Sequence, residues 1–301
     1  MRLPARCLDD EKTVMRLRSL LFVPGDDKRK FEKARHCGAD ALILDLEDAV
    51  VASRKLEARA LVARYVEDET PRDWSFWVRV NPFDTELTLG DLAAVVGRGL
   101  TGIVLPKANG AEDVTRLAHC LDALEVKAGI QAGQVKVLVV ATETPQAMFR
   151  LGTYADSHPR LVALTWGAED LGAAVGATAN KEADGEWTAP YQAARSMCLF
   201  AAAAAEVLAI DTLYADFHDR EGLATSCRRS RRDGFVGRIA IHPDQVKTID
   251  QCFSPSDEDV AHARRIVQTF AERPDAGTIG IDGKMYDIPH LKQARRLLAS
   301  I

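Results

Sequence analysis

The chain has 301 residues, with 39 Lys and Arg against 44 Asp and Glu, a formal net charge of −5. A mildly acidic chain lacks the basic footprint that nucleic-acid binding needs, and 47% apolar with 28% charged residues excludes wholesale disorder. No uncharged apolar run approaches the roughly 18 residues of a membrane span, the longest candidate being the Ala-rich run from Cys198 to Ala205, closed by Glu206.

Residues 1–17 read as an N-terminal extension. Without an apolar signal core, and with Asp9, Asp10 and Glu11 opposing a transit peptide, they point to a cytoplasmic protein. The six cysteines show no CxxC spacing and read as reduced, mostly buried small residues.

From residue 18 short apolar or β-branched runs alternate with helical patterns. Strands are expected at Ser19–Val23, Ala41–Leu46, Phe76–Val80, Gly102–Pro106, Val135–Ala141, Leu161–Gly167, Thr212–Ala215 and Gly237–Ile241. Helices are expected at Asp27–Cys37, Arg54–Val66, Ala111–Lys127, Pro190–Leu208 and Glu221–Arg232. Eight strands separated by helices specify a TIM (β/α)8 barrel over residues 18–253. Residues 254–301 exceed what a barrel needs. Ser256 suits the N-cap of a helix over Asp257–Glu272, Gly277–Met285 reads as a hairpin or flap, and a last helix runs from His290 to Ser300. This tail is a lid or an oligomer arm.

Barrel enzymes carry their chemistry at the carboxyl ends of the strands. Those positions hold Asp45, Glu47 and Asp48; Arg79 and Asn81; Lys107; Glu143; Glu169 and Asp170; Asp216; and His242. Glu143 and Asp170 follow neighbouring strands. Two converging carboxylates without Cys or His suit a hard cation such as Mg²⁺, although both would also serve as solvent-facing loop acids. Arg79 interrupts an apolar strand, where a guanidinium can clamp a carboxylate or form an internal ion pair with Asp45 or Glu47. Asp45, Glu47 and Lys107 read as orienting groups behind the pair or as a structural network. His242 reads as a hydrogen-bonded strand terminus rather than a base. Lys28, Arg29 and Lys30 open the first helix and suit a phosphate or plain solvent. The run Arg228, Arg229, Arg231 and Arg232 reads as a solvated face near a helix end. Glu182–Trp187 either shapes the barrel mouth or is a polar loop.

These stretches resemble the citrate lyase beta-subunit-like proteins within the HpcH/HpaI aldolase and malyl-CoA lyase family. The likeness rests on Arg18-Ser-Leu-Leu-Phe-Val-Pro-Gly25, Asp45-Leu-Glu-Asp48, Arg79-Val-Asn-Pro82, Leu105-Pro-Lys107, Glu143-Thr144, Gly167-Ala-Glu-Asp-Leu171, Ile241-His-Pro-Asp-Gln245 and Asp282-Gly-Lys-Met-Tyr-Asp-Ile-Pro289. It implies a carbon–carbon lyase holding Mg²⁺, or Mn²⁺ in its place, at Glu143 and Asp170. Substrate contacts are implied at Arg79, Gly167, Ala168 and Glu169. A lid aspartate at Asp287 would act on the thioester enolate from a neighbouring subunit of a trimer or hexamer. The substrate implied is a short 3-hydroxyacyl-CoA of the malyl-, methylmalyl- or citramalyl type, cleaved to an acyl-CoA and a 2-oxo acid, with Arg18, Lys28 and Lys30 as candidates for the coenzyme A phosphates. The alternatives are a citryl group on an acyl carrier protein, a malyl-CoA thioesterase, a pyruvate-type class II aldolase, and a non-catalytic paralogue that binds an acyl-CoA or oxo acid.

Overall fold

The computed structural model describes residues 15–68 and 70–299, so most of the predicted 1–17 extension, with Cys7, and the last turn predicted at Ser300 lie outside the described residues. The described residues divide into two compact units, one formed by Leu17–Phe253 and the other containing residues 254–299.

The first unit is a closed parallel barrel in which each strand pairs with the next and the last with the first. Its strands are β1 (Ser19–Pro24), β2 (Ala41–Asp45), β3 (Ser75–Arg79), β4 (Gly102–Leu105), β5 (Lys136–Val140), β6 (Leu161–Thr165), β7 (Leu208–Asp211) and β8 (Gly237–Ala240). The helices are α1 (Lys28–Ala34), α2 (Lys55–Glu67), α3 (Thr88–Val95), α4 (Ala111–Ala128), α5 (Pro145–Met148), α6 (Glu169–Val175), α7 (Ala189–Ala204), α8 (Arg220–Asp233) and α9 (Pro243–Phe253). Parallel strands are covered on both faces, and all of β2, β4 and β8 is buried.

Local chemistry sets the helix ends. The Asp27 carboxylate accepts from Lys30 N at 2.9 Å and starts α1. Thr144 Oγ1 accepts from Ala147 N at 3.1 Å and starts α5, with Pro145 in its first turn. Inside the barrel, large and small residues interlock across strands. Trp77 of β3 is fully buried and lies in register with Gly102 of β4. A Cβ on Gly102 would sit 2.3 Å from the Trp77 ring and 2.8 Å from Lys136 O.

The sequence places the seventh strand four residues too late. The Ala-rich helix pattern runs on into Val207 and Leu208, but α7 stops at Ala204 because Glu206 turns left-handed (φ 55°). Leu208–Asp211 therefore supplies β7, which ends at Asp211. Asp211 is 1% exposed, and its Oδ2 takes Arg195 at 3.1 Å, Arg238 at 3.0 Å and Ser230 Oγ at 2.5 Å. Its Oδ1 takes Trp166 Nε1 at 2.6 Å and Thr212 N at 2.8 Å. Asp216, the predicted end of this strand, instead organises a loop by accepting from the backbone N–H groups of His218 and Asp219.

The second unit contains α10 (Asp257–Ala271), β9 (Thr278–Ile281), β10 (Lys284–Asp287) and α11 (Ile288–Ala299). Ser256 and Asp259 cap α10 reciprocally. Asp282 and Gly283, both at positive φ (51° and 76°), make the two-residue turn of the β9–β10 hairpin. Arg265 clamps the Asp282 carboxylate at 2.6 and 2.8 Å. Ala263, Ile266, Phe270, Ile279, Ile281, Leu291 and Ala294 form this unit's own apolar core.

Two consequences can be measured. Gly102→Ala forces the Trp77 ring to move and should destabilise the chain by about 1–3 kcal/mol in denaturant titrations, a loss that a second change, Trp77→Phe, should partly recover. Burial opposes ionisation of Asp211, but Arg238 and Arg195, with the Ser230 and Trp166 hydrogen bonds, hold its carboxyl below the ordinary value of 3.8. A carboxyl held low stabilises the fold above that value, and the contribution is lost as pH falls below it. Asp211→Asn leaves Arg238 buried against a neutral group. It should cost about 3–5 kcal/mol at pH 7 and flatten the loss of stability below about pH 4, which unfolding curves at pH 3 to 7 would register.

Candidate functional site

Five successive strands, β2 to β6, deliver one network of charges to the carboxyl end of the barrel. Arg79 ends β3 and is 14% exposed at its side chain. Its Nε and Nη2 donate to the two oxygens of Asp45, at 2.7 and 2.6 Å, and its Nη1 lies 3.0 Å from Glu47 Oε2. Asp45 is itself fixed by the backbone N–H groups of Glu47 and Ala49, at 2.9 and 3.0 Å. The Arg79 guanidinium also stands 4.7 Å above the Phe22 ring. Burial would favour losing its proton, yet the Asp45 hydrogen bonds and the charges of Asp45, Glu47 and Glu143 raise its pKa. Arg79 is thus both the internal ion pair and a wall of the cavity described below, so the two sequence readings coexist.

Lys107 follows β4 in a left-handed conformation, φ 50°, and this turn makes it a junction. Its backbone N donates to Glu143 Oε2 at 2.5 Å. Its ammonium contacts Glu47, Asp48 at 3.2 Å and Asp170 at 3.1 Å. Burial alone would lower its pKa, but the hydrogen bond and charge of Glu47, with Glu143 and Asp170, raise it.

Glu143 follows β5 and is only 4% exposed. Burial pushes its carboxyl up to about 8, and the nearby charges of Asp170 and Glu47 add to that, against the pull of Lys107. The next strand gives it room. Gly167 exchanges hydrogen bonds with Thr142 Oγ1, and a Cβ there would lie 2.9 Å from Glu143 Cγ and 3.2 Å from Oε1. Glu169 turns its carboxylate aside to Asn180 Nδ2 at 3.0 Å, leaving its backbone for the cavity.

A cavity of about 100 Å³ opens at this place, lined by Arg79, Glu143, Thr165, Gly167, Ala168, Glu169 and Asp170. Its lining holds the acids Glu143, Glu169 and Asp170 and no Cys or His, and with Glu169 bonded to Asn180 the pair Glu143 and Asp170 is left. Among the described residues no group of three or more His, Cys, Asp or Glu is arranged to hold a metal. Such a pair fits a hard cation that completes its shell with water and ligand oxygens, as Mg²⁺ does, and does not fit a structural zinc site.

Phe22 also walls a second, larger cavity of about 460 Å³. Arg29, Lys30 and Lys33 of the α1 region line it with Pro24 and His242. Lys28 opens α1 in an exposed position. Arg18 is elsewhere: it precedes β1, at the amino end of the barrel, and its guanidinium is taken by Asp40 at 2.7 and 2.8 Å. It cannot serve the mouth as a phosphate contact. His242 donates its backbone N–H to Gln245 Oε1, accepts from Asp244 N at its Nδ1, and stacks on Phe217 with ring centroids 4.8 Å apart. Arg229 pairs with Glu186, while Arg232 lies 3.6 Å from Asp233.

Asp287 ends β10 in the second unit. Its Oδ1 is 2.5 Å from Nδ1 of His290 on α11, and that hydrogen bond holds its carboxyl below the ordinary range. The site residues that sequence reasoning missed are Phe22, Trp166 and Asp211, while Trp187 belongs to the segment read as mouth or loop and lies in the cavity lining. Trp166 sits one position beyond β6 and Asp211 ends a strand placed too late, so a corrected β7 would have exposed the second.

Residues 18–243 match the family model described as HpcH/HpaI aldolase/citrate lyase. Citrate lyase subunit beta of Haemophilus influenzae is 33% identical over 93% of this chain and 95% of its own length. A (3S)-malyl-CoA thioesterase of Cereibacter sphaeroides is 34% identical over 94% and 93%. A crystal structure of CitE from Mycobacterium tuberculosis, in complex with magnesium, acetoacetate and coenzyme A, superposes with a TM-score of 0.74 at 33% identity, covering 94% of this chain and 97% of that one. The closed eight-stranded barrel, the paired carboxylates after β5 and β6 and these likenesses lead to one conclusion: the chain belongs to the HpcH/HpaI aldolase/citrate lyase family.

Proposed function

We propose that the protein is a Mg²⁺-dependent carbon–carbon lyase that cleaves a short 3-hydroxyacyl-CoA into an acyl-CoA and a 2-oxo acid. The observation that carries this reading is Glu143, a buried carboxylate beside Asp170 in a cavity whose other wall is Arg79. Burial together with the neighbouring negative charge makes a bound cation the natural partner of that carboxyl. The solved relative that binds magnesium and coenzyme A supports it.

Glu143 and Asp170 would hold the metal, Lys107 releasing Asp170 to do so. When bound, Mg²⁺ supplies Lewis-acid stabilisation of the oxygen that becomes the keto group. The remaining work falls to the chain. Gly167, Ala168 and Glu169 present backbone to the oxo-acid half of the substrate. Arg79, oriented by Asp45 and Glu47, sets a positive charge beside the enolate that forms when the carbon–carbon bond breaks. The proton that leaves the substrate hydroxyl would reach the enolate carbon by way of the Asp287 carboxylate, which His290 hydrogen-bonds and holds in place. The larger basic cavity, with Arg29, Lys30 and Lys33, suits the phosphates of coenzyme A. Asp287 would reach the site from a neighbouring subunit of a trimer or hexamer.

The deciding assay incubates malyl-, β-methylmalyl- and citramalyl-CoA with Mg²⁺ and quantifies acyl-CoA, 2-oxo acid and free coenzyme A together. Paired acyl-CoA and oxo acid is the expected result. Free coenzyme A with an intact hydroxy acid would make the protein a thioesterase. Turnover of a carrier-bound citryl group alone would make it a citrate lyase subunit, and no turnover at all would sink the enzyme reading. Gly167→Ala crowds Glu143 and should weaken Mg²⁺ binding by about 10–100-fold in calorimetry. Mixed and exchanged, inactive Glu143→Ala and Asp287→Ala chains should recover activity; silence after proven subunit exchange would refute the shared site.

A further inference from the structure

The segment between α6 and α7, which the sequence leaves as mouth or loop, is a pinned hairpin. Lys181 and Trp187 form an antiparallel bridge, Glu182 N donates to Glu186 O at 2.8 Å, and Thr188 N to Asn180 O at 3.0 Å. Both flanks are tied down, Asn180 to Glu169 and Glu186 to Arg229. The Lys181 ammonium lies over the Trp187 and Tyr214 rings, at 4.7 and 5.3 Å. The hairpin thereby brings Trp187 into the wall of the cavity that holds Glu143 and Asp170. Its ring meets Trp166 edge-on, with centroids 5.0 Å apart at 71°, and Trp166 is fixed from behind by Asp211.

Away from its acids, this cavity is lined by Phe22, Val140, Trp166, Trp187, Leu213 and Ile239. Among the described lining residues the one cation is Arg79, and Asp45 and Glu47 already match its charge. Thr165 Oγ1, a buried lining hydroxyl with no partner in the structure, offers a neutral hydrogen bond and no charge. With Glu143 and Asp170 matched by the metal and Arg79 matched by Asp45 and Glu47, a second carboxylate on the ligand would be buried without a cation of its own, which is unfavourable.

We propose that Trp187 is a specificity-determining wall, which confines the 2-oxo acid half of the substrate to a short side chain carrying no second carboxylate. This rests on the lyase reading and narrows it. The product oxo acid belongs with glyoxylate and pyruvate, not with oxaloacetate, which sets the chain apart from citryl-cleaving relatives.

Binding of the oxo acids alone tests it without turnover. The full chain with saturating Mg²⁺ is titrated calorimetrically with glyoxylate, pyruvate, 2-oxoisovalerate and oxaloacetate. Glyoxylate or pyruvate should bind at least about tenfold tighter than either larger acid, since a hydrophobic wall discriminates by about that factor or more. Trp187→Ala should raise the ratio of 2-oxoisovalerate to pyruvate affinity by about tenfold, and Trp187→Phe, which keeps an aromatic wall, should change it less. Each ratio is internal to one variant, so partial misfolding does not imitate it. Tighter binding of oxaloacetate than of pyruvate would overturn the proposal, as would a ratio unmoved by Trp187→Ala, and both leave the lyase reading standing. Failure of every oxo acid to bind with Mg²⁺ present would overturn the two together.

Discussion

The barrel mouth is organised by gathered negative charge, with Asp45, Glu47 and Glu143 buried and Asp48 and Asp170 reaching water. Asp45, Glu47, Asp48, Glu143 and Asp170 meet at the ends of neighbouring strands, and Arg79 and Lys107 are the cations set among them. Asp45 and Glu47 take up Arg79, Lys107 is divided between Glu47, Asp48 and Asp170, and Glu143 keeps little more than one backbone N–H. A carboxylate so placed is costly to ionise, which is why its pKa climbs towards neutrality. A divalent cation removes that cost at the place where a substrate oxygen needs polarising.

The same constraint explains why the walls are rigid. Gly167 lets the β6 backbone close on Glu143, and the left-handed turn at Lys107 aims an N–H at its carboxylate. Asp211 then holds Trp166 from below while its other oxygen binds two arginines and Ser230. A single buried carboxylate thus couples the outer helices α7 and α8 to the cavity lining. Preorganisation of this kind lets short contacts act on a small substrate without reordering at each turnover.

Much of this was legible in the sequence. Continuous apolar runs such as Val137–Val140 can only be parallel strands or buried helix, and the regular alternation with helical segments decides for strands. Once the strands are set, the carboxyl-end rule brings Arg79, Lys107, Glu143 and Asp170 to one end of the barrel. The seventh strand was misplaced because a run of alanines carries a helix signal up to Val207, and the left-handed Glu206 that stops it leaves no mark in composition. Arg18 misled for a related reason. It belongs to a motif shared with relatives, but its place at the amino end of β1 commits it to Asp40. The segment Glu182–Trp187 stays open between mouth and loop in the sequence, because what seats Trp187 is its ring packing against Trp166 at the end of the preceding strand.

That last case bears on how such barrels diversify. The acids Glu143 and Asp170 are fixed by strand ends and cannot move without breaking the barrel. The apolar side of the cavity is different: Trp187 is carried by a hairpin whose outer anchor, Glu186 to Arg229, is a surface ion pair worth about 1 kcal/mol or less. A loop held that loosely can be rebuilt without disturbing Glu143 or Arg79. Reaction type and substrate size are therefore written in different parts of the chain, the first in buried charge at the strand ends and the second in aromatic surface on an adjustable hairpin. Family membership speaks to the first, while on the reading proposed above the particular oxo acid depends on the wall that Trp187 provides.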